Sequence, residues 1–309
     1  MWFKNLRLYR LLQPLNLSVD ELHARLQQRE FRHCGSHDPS SLGWSSPLGR
    51  QAERLAHEVS GNIMICARQE DKLLPPAVVT EALEEKVQEL EANEGRKLPR
   101  RERNDLREEI IHQLLPRAFV RSFNTFARID KQNGWILLDA VSAKRAEGVI
   151  TLLRETLGSL PVRPFEVNLA PAAVFTEWLA QPDSHSDFVV LDSCELRDPA
   201  EDGGIVRCKG LDLSAEEVQS HLAAGKQVVK LTVEWDERIA CSLEADLALK
   251  RIRFLDLLQE EAADVVTENE IASFDVTFSL MSLEFRRLIP RLLALFGGMA
   301  PVPGASGSN

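Results

Sequence analysis

The fold is decided by a highly charged stretch, residues 75–116, which read PPAVVTEALEEKVQELEANEGRKLPRRERNDLREEIIHQLLP. Apolar residues recur at helical spacing in both of its parts, at Val79, Leu83, Val87 and Leu90 and then at Leu106, Ile110 and Leu114. Gly95 is a natural stop for the first helix, Pro99 is placed to begin the second, and Pro116 disfavours further helix. The pattern predicts a helical hairpin whose narrow apolar seams indicate an arm projecting from the body.

Charge is distributed unevenly along this arm. Six acids oppose one base between Glu81 and Glu94, whereas six bases oppose two acids between Arg96 and Arg107. The first helix is therefore predicted to be acidic, and the turn and second helix basic. Two interpretations stay open at this point. The arm is either a basic surface for an anionic polymer or a solvated helix pair packed on the core, with charges that serve only solubility.

The sequence on either side of the arm predicts strands and helices in alternation. Upstream we expect a strand near 3–12, a helix opened by a capping box at Ser18–Glu21, a long loop, and a buried strand at 63–67. Immediately downstream, Asn133-Gly134 predicts a tight hairpin turn, and Ser142 is a plausible cap for a helix near 143–157. Further elements are predicted as strands near 163–168, 187–191, 204–209, 227–235, 238–244 and 247–254, a helix opened by a capping box at Ser214–Glu217, and a last helix near 277–296.

These elements predict an elongated α+β protein with mixed or antiparallel sheets, flanking helices and the projecting arm. The expected regions are 1–74 (N-terminal α/β region), 75–116 (helical arm), 117–160 (hairpin plus helix completing the N-terminal half), 161–300 (C-terminal α+β region) and 301–309 (flexible tail).

Composition narrows the class of protein. The 309 residues carry a formal net charge of −10, contain no apolar run long enough to cross a membrane, and begin without the apolar core of a secretory signal. Five widely spaced cysteines without a C-x-x-C pair predict neither a disulfide framework nor a zinc ribbon. A cytoplasmic protein with reduced thiols, no membrane partner and no cofactor is expected.

The net charge conceals two further basic stretches. One comprises Arg117, Arg121, Arg128 and Lys131, and the other is Lys250-Arg251-Ile252-Arg253. An acidic protein with such stripes can hold an anionic polymer on one surface only. Phe119, Phe123 and Phe126 interleave with the first set as in single-strand stacking platforms, although we expect at least two of the three rings to be buried.

Sequence patterns typical of catalytic sites are weaker than these basic stretches. Glu70-Asp71-Lys72, with Asp38 or Glu58 upstream, has the form of a magnesium-dependent nuclease site, but so short a pattern often arises by chance. His33, Cys34 and His37 lack a second ligand pair for zinc. Ser220–Gln227 lacks the first glycine and the hydroxyl residue of a phosphate-binding loop. No catalytic residue, metal site or nucleotide site is predicted.

The chain resembles the recombination-associated RdgC family of bacterial nucleoid proteins. The matching stretches, in order, are Trp2–Leu6, Cys34–Ser36, Gly43-Trp44, Ile65–Arg68, Gly95–Leu98, Leu114–Phe119, Thr176–Trp178 and Asp202–Gly204. The resemblance implies two subunits that close into a ring around duplex DNA, with a positively charged inner surface, and inhibition of RecA-promoted strand exchange by occupation of the DNA. The chain departs from the family pattern at Lys209-Gly210-Leu211, where that pattern is more basic and polar.

We therefore expect a homodimer that binds double-stranded DNA, with single-stranded DNA as a further candidate ligand, without chemistry and without sequence preference. The predicted phosphate contacts are Arg96, Lys97, Arg100, Arg101, Arg117 and Arg121, with Lys72, Lys209 and Lys250 as weaker candidates. Phe119 is the candidate dimer contact. The alternatives are the nuclease centred on Glu70 and Lys72, and a protein-interaction scaffold whose arm docks on an acidic partner.

Overall fold

The computed structural model describes residues 1–49, 51–181, 187–200, 203–265 and 267–301. Its strands are β1 (Asn5–Leu11), β2 (Ser40–Ser45), β3 (Ala56–Val59), β4 (Asn62–Leu73), β5 (Phe119–Asp130), β6 (Trp135–Leu138), β7 (Val162–Pro164), β8 (Phe188–Arg197), β9 (Ile205–Lys209), β10 (Gln227–Trp235), β11 (Ile239–Glu244) and β12 (Leu249–Phe254). Its α-helices are α1 (Val19–Gln27), α2 (Pro76–Glu94), α3 (Arg100–Leu114), α4 (Ala143–Leu157), α5 (Pro171–Ala180), α6 (Glu216–Ala223), α7 (Asp256–Ala263) and α8 (Glu270–Leu295).

All twelve strands belong to one antiparallel sheet, and the α+β class predicted from the sequence is confirmed. The strand order is β2-β4-β5-β6-β1-β12-β11-β10-β8-β9, with β3 paired to β4 and β7 paired to β1. The pairing of β1 with β12 joins the two halves of the sheet, with Asn5 opposite Lys250 and Leu6 opposite Leu249. The region boundaries proposed from the sequence remain predictions.

The central part of the N-terminal half of the sheet is buried on both faces, although the first residues of β5 and the last residue of β4 reach solvent. Ile63 and Ile65 of β4 pack with the apolar sides of α1 and α4, whereas Met64 lies in the core on the opposite face, with α8. Continuous apolar runs such as Trp135–Leu138 follow from this arrangement, because neither set of alternating side chains reaches water.

The C-terminal half of the sheet buries one face only. Leu231 and Val233 of β10 and Phe254 of β12 join the core formed with α5, α7 and α8. In β12 the charged residues Arg251 and Arg253 alternate with buried Ile252 and Phe254, as expected when one face meets water. The open face of this half of the sheet is where the candidate site lies.

The hairpin region consists of α2 and α3, which pack against each other. Gly95 ends α2 in the left-handed conformation, with φ of 67°, which glycine adopts without steric cost. Val79, Val87 and Ile110 are the residues of the two helices that become buried. At the base, the Lys72 ammonium donates to the carbonyls of Ser36 and Leu115.

Several local predictions are confirmed. Ser18 and Glu21 form a reciprocal capping box on α1, and the Ser142 hydroxyl accepts from the Arg145 amide at the start of α4. The predicted hairpin is present as β5 and β6, with Gly134 at φ of 66° in the connection. C-terminal strands β10, β11 and β12 fall within two residues of the predicted ranges.

Other predictions were wrong. The long loop proposed after α1 contains β2 and β3, which add to the edge of β4 instead of remaining irregular. Ser214 does not cap α6, because its hydroxyl donates to Asp212 and the helix begins after Ala215 without a side-chain cap. Helix α8 begins at Glu270, earlier than expected, and α5 and α7 were not predicted. All but the first residue of the predicted flexible tail lies outside the described residues.

Candidate nucleic-acid interface

A cavity of about 790 Å³ opens on the exposed face of the C-terminal half of the sheet. Strands β8 to β12 form its wall, and Lys4 at the start of β1 closes one side. Six basic side chains and two acidic ones line it, so its net formal charge is +4. They are Lys4, Arg207, Lys209, Lys230, Arg251 and Arg253, against Asp192 and Glu195. We call this cavity, with these six bases, the basic face.

Two of the six bases are ion-paired within the sheet. Arg207 donates to Glu195 at 2.8 Å, and Lys230 to Glu244 at 3.1 Å. The side chains of Lys4, Lys209, Arg251 and Arg253 are exposed and have no ionic partner among the described residues. Four cationic groups on the basic face are thus available to an anion.

A β-bulge helps to place two of these four bases, Arg251 and Arg253. Ala240 of β11 pairs with Arg253 and Ser242 with Lys250, so two residues of β12 face one residue of β11. The extra residue is accommodated at Arg251, which adopts a positive φ of 52°. Arg251 and Arg253 remain exposed on either side of buried Ile252. Lys250 instead forms an ion pair with Glu244.

Three cysteines contribute to the wall of the basic face, but their side chains pack in the apolar core beneath it. Cys194 and Cys208 are direct register partners on β8 and β9, and Cys241 comes from β11. Burial raises the pKa of Cys194 and of Cys241 to about 12, and the nearby Cys208 thiol adds to the shift at Cys194. Both thiols are therefore protonated near neutral pH and do not reduce the positive charge of the cavity.

At the turn between α2 and α3, the predicted contact residues divide into two groups. Arg96 is bound to Glu94 and Glu102, each at 2.8 Å. The side chains of Lys97, Arg100 and Arg101 are exposed and have no ionic partner in the described part of the chain. Glu91, also near this turn, accepts from the Leu98 amide at 2.9 Å.

The residues of the basic stretch that follows the arm also fall into two groups, one exposed and one buried. Arg117 is exposed and unpaired among the described residues, whereas Arg121 lies 3.7 Å from Asp71 and keeps most of its side chain in solvent. Arg128 was grouped with them as a solvated base, which is wrong: it is fully buried and bonded to Asn62 and Asp130. Strand β5 enters the two-sided core between Phe123 and Ala127, which accounts for the difference.

The three phenylalanines of β5 also depart from expectation. Phe119 is 83% exposed, and Phe123 and Phe126 are half-buried, so the prediction that at least two of the rings are buried is confirmed only in part. The Arg145 guanidinium covers the Phe123 ring at 3.9 Å, whereas Phe126 packs on the core. These rings do not form one continuous stacking surface.

The residues of the nuclease alternative are held by internal partners. Glu70 is 3% exposed, and its carboxylate accepts from the His33 ring, the Cys34 amide, Arg68 and Ser122. Burial alone would raise its pKa, but these hydrogen bonds outweigh burial and hold the pKa below the ordinary value. Its acceptor sites are thus filled by the protein.

The predicted upstream acids are likewise engaged. Asp38 accepts from the Gly35 amide at 2.9 Å, and Glu58 pairs with Lys131 near the opposite end of β4 from Glu70. Across the described ranges, no three His, Cys, Asp or Glu side chains are grouped so that they could hold a metal ion. The described helices include none with the length and apolar character needed to cross a bilayer.

Comparison with known proteins identifies the relatives of the chain. The sequence profile of the family described as "Putative exonuclease, RdgC" matches residues 1–299. The chain belongs to the RdgC family. Its relatives include the recombination-associated protein RdgC of Tolumonas auensis, which is 45% identical over 298 residues and covers 96% of this chain and 99% of that protein.

Two further RdgC relatives show similar agreement. The recombination-associated protein RdgC of Pseudomonas aeruginosa is 46% identical over 299 residues, covering 96% of this chain and 98% of that protein. That of Yersinia enterocolitica is 43% identical over 300 residues, covering 97% and 99%. The family resemblance seen in short stretches of sequence is therefore confirmed over nearly the whole chain. The family is described as a putative exonuclease, whereas the relatives are named recombination-associated proteins.

Sequence reasoning found part of the basic face. It named Lys209 and the stretch Lys250–Arg253, but it missed Lys4, Arg207 and Lys230. Lys4 and Lys230 are isolated in the sequence, and Arg207 stands two residues from Lys209 without forming a longer basic run. The available signal in β10 was the alternation of buried Leu231, Val233 and Trp235, which places Lys230 on the opposite face.

Proposed function

We propose that this RdgC protein binds double-stranded DNA through its phosphates, without sequence preference, and does no chemistry on it. The observation that carries the proposal is the basic face, where Lys4, Lys209, Arg251 and Arg253 are exposed and unpaired among the described residues of an acidic protein. Lysine and arginine contacts to phosphate give affinity but no direct sequence information. Lys97, Arg100, Arg101 and Arg117 supply further contacts, whereas Arg96, Lys72 and Lys250 are weakened as candidates by their internal partners.

We further propose that the DNA-binding species is a homodimer associated with the nucleoid, and that its occupation of duplex DNA limits the access of RecA. The recombination-associated names of the relatives and the family resemblance motivate this role. The dimer contact proposed is Phe119, which lies opposite Leu73 at the end of the β4–β5 pair. Phe119 and Leu73 are both exposed, and as register partners they lie on one face of the sheet as a small apolar surface, as expected of an interface.

The test is a binding isotherm for a labelled duplex at several salt concentrations. For the wild type, the slope of log K against the logarithm of the salt concentration is expected to be about −5 for six phosphate contacts in one subunit, and steeper for a dimer. The variant R251A/R253A is expected to reduce the magnitude of the slope by about 2. K144A/R154A, which removes two exposed bases of α4, is the matched control and is expected to bind like the wild type.

Parallel incubation with magnesium distinguishes the alternatives. Retention of intact duplex supports the proposal. Cleavage that is lost in E70Q would establish the nuclease instead. If the protein neither binds nor cleaves the duplex, the protein-interaction scaffold is the remaining alternative. A slope that is flat, or unchanged in R251A/R253A relative to K144A/R154A, would show that DNA does not bind at the basic face.

A further inference from the structure

A second cavity, of about 390 Å³, lies between the β5–β6 connection and α8, away from the residues of the basic face. Its polar lining consists of Arg10, Asp130, Gln132, Asn133 and Arg286. Its apolar lining consists of Trp135, Ile289, Pro290, Leu293 and Met299. A polar end and an apolar wall in one enclosure are typical of sites for small organic ligands.

Positive charge around this cavity exceeds negative charge. Asp130 is the one carboxylate among the lining residues, and it binds Arg286, whereas Arg10 donates to the Asn133 carbonyl and lies over the Trp135 ring. Behind it, fully buried Arg128 contacts the same carboxylate at 2.8 Å. Arg163 is the register partner of Arg10 on β7, so the two side chains lie on one face of the sheet. Arg163 lies outside the cavity lining and donates to the Ala300 carbonyl at 2.6 Å, so the Asp130 carboxylate itself is shared by Arg128 and Arg286.

Asp130 is held by several donors at once. Its Oδ2 accepts from Arg128 at 2.8 Å, from Arg286 at 3.0 Å and from the Asn133 amide at 3.1 Å. Its Oδ1 accepts from the backbone amide of Asn133 at 3.0 Å. Within the described ranges, Nη1 of Arg128 and both Nε and Nη1 of Arg163 are buried without any hydrogen-bond partner.

Such unpaired buried donors are costly. A buried hydrogen-bonding group without a partner loses its hydration and gains nothing in return, and the cost is larger for charged groups. Burial lowers the pKa of Arg128 to about 10, with Asp130 acting in the opposite direction. The surplus of positive charge is what an anionic ligand would neutralise.

We propose that this cavity binds a small phosphate monoester. Arg10, Arg286 and Arg128 stand against one carboxylate, Asp130, and a doubly charged phosphate matches this surplus of two positive charges better than a monocarboxylate does. Guanidinium groups also bind phosphate oxygens in bidentate geometry. Arg10 and Arg286 are the phosphate contacts, since both line the cavity. The wall of Ile289, Leu293 and Met299 receives the organic part of the ligand. The volume is of the size that small-molecule pockets have.

The test is calorimetric titration with deoxyadenosine monophosphate as the probe and deoxyadenosine as the uncharged control. The monophosphate is expected to bind saturably, and the nucleoside to bind at least about tenfold more weakly. R10Q and R286Q are each expected to weaken binding of the monophosphate by about tenfold or more, because each removes a charge-assisted hydrogen bond. R291Q is the matched control, since Arg291 lies on the same helix but binds Asp187 outside the cavity.

Two results would overturn the proposal. One is the absence of saturable binding by the wild type. The other is unchanged binding in R10Q, a variant whose native residue is only half-buried and whose folding is checked by thermal melting. If R286Q does not fold, R10Q alone decides. If R10Q retains binding, loss of monophosphate binding in R251A/R253A would assign the ligand to the basic face, whatever the outcome for DNA.

Discussion

At the scale of single residues, burial and hydrogen bonding decide what a charged side chain can do. Arg128 and Arg121 stand seven positions apart on β5, yet one is fully buried against Asp130 and the other is mostly in solvent. Glu70 has the residue type of a metal ligand, but four donors occupy its carboxylate. Its contribution is therefore to tie the segment around His33 to β4 and β5.

The Glu70 contribution is expected to depend on pH. Its folded-state pKa lies below the ordinary value of 4.5, so the ionised group stabilises the fold above that pH and this stability is lost as the pH falls through the folded value. In urea unfolding, E70Q is expected to be less stable than the wild type at pH 7. The difference between the two should narrow below about pH 4.5, because the variant has no proton to take up.

E108Q is the control for this series, since Glu108 is exposed on α3 and has no ionic partner in the described part of the chain. A stability difference between wild type and E70Q that stays constant down to pH 3 would show that the hydrogen bonds to Glu70 do not favour its charged form.

At the scale of elements, a turn and a bulge place the exposed bases. Gly95 ends α2 with a positive φ and Pro99 precedes α3, so the bases between 96 and 101 gather around one turn. In β12, the extra residue opposite β11 is taken up at Arg251. Both features put several cations on a short segment of backbone without a long basic run, which keeps the remaining surface of the acidic chain unattractive to polyanions.

The turn is expected to contribute three phosphate contacts rather than four. Changing Arg96, Lys97, Arg100 and Arg101 together to Ala should weaken duplex binding and reduce the magnitude of the salt slope by about 2 to 3 units, because Arg96 is already bound to Glu94 and Glu102. Each surface substitution should cost within about 0.5 kcal/mol, so the fold is expected to survive. Isotherms at several salt concentrations, with thermal melting alongside, measure both effects.

K86A is the matched control for the turn, since Lys86 lies on α2 and is paired with Glu89 at 2.7 Å. A quadruple variant that melts like the wild type and keeps its salt slope would show that these bases face solvent in the complex and that DNA lies elsewhere.

At the scale of the whole molecule, one sheet carries two differently covered halves. The central part of the N-terminal half is enclosed by helices on both faces, and the C-terminal half keeps one face open. Joining them through β1 and β12 makes Lys4, from the start of the chain, a neighbour of Arg251 and Arg253 near its end. The apolar surface around Phe119 lies at the far end of the longest strand pair, β4 with β5.

Assembly is expected to depend on that surface. F119S should shift the protein from dimer to monomer at micromolar concentration in sedimentation, because an exposed aromatic ring gains most from burial at an interface. V141S alters another exposed apolar side chain, and is expected to leave the oligomeric state unchanged. A ring closed on DNA should also persist on covalently closed circles and slip from short linear duplexes.

A wild-type protein that sediments as a monomer, or that is retained equally on circles and linear duplexes, would contradict the ring dimer. F119S that remains a dimer would place the contact on another surface.

The sequence by itself determined the features that depend on near neighbours along the chain. Helical spacing and the Gly95 and Pro99 signals predicted α2 and α3, the Ser18 capping box predicted the start of α1, and Asn133-Gly134 predicted the hairpin of β5 and β6. The α+β class followed from such local signals, because strand and helix periodicities are read over a few residues. Family membership followed from the order of short stretches along the chain.

Tertiary structure alone decided which charges are available. Pairing β1 with β12 and β8 with β9 brings Lys4, Lys209 and Arg253 to one cavity from positions far apart in the sequence. Burial removes Arg128 from solvent, and α8 packs over the first half of the sheet so that Arg286 reaches Asp130. No local pattern records these outcomes, because the pairing of distant strands fixes both the neighbours of a side chain and its access to water.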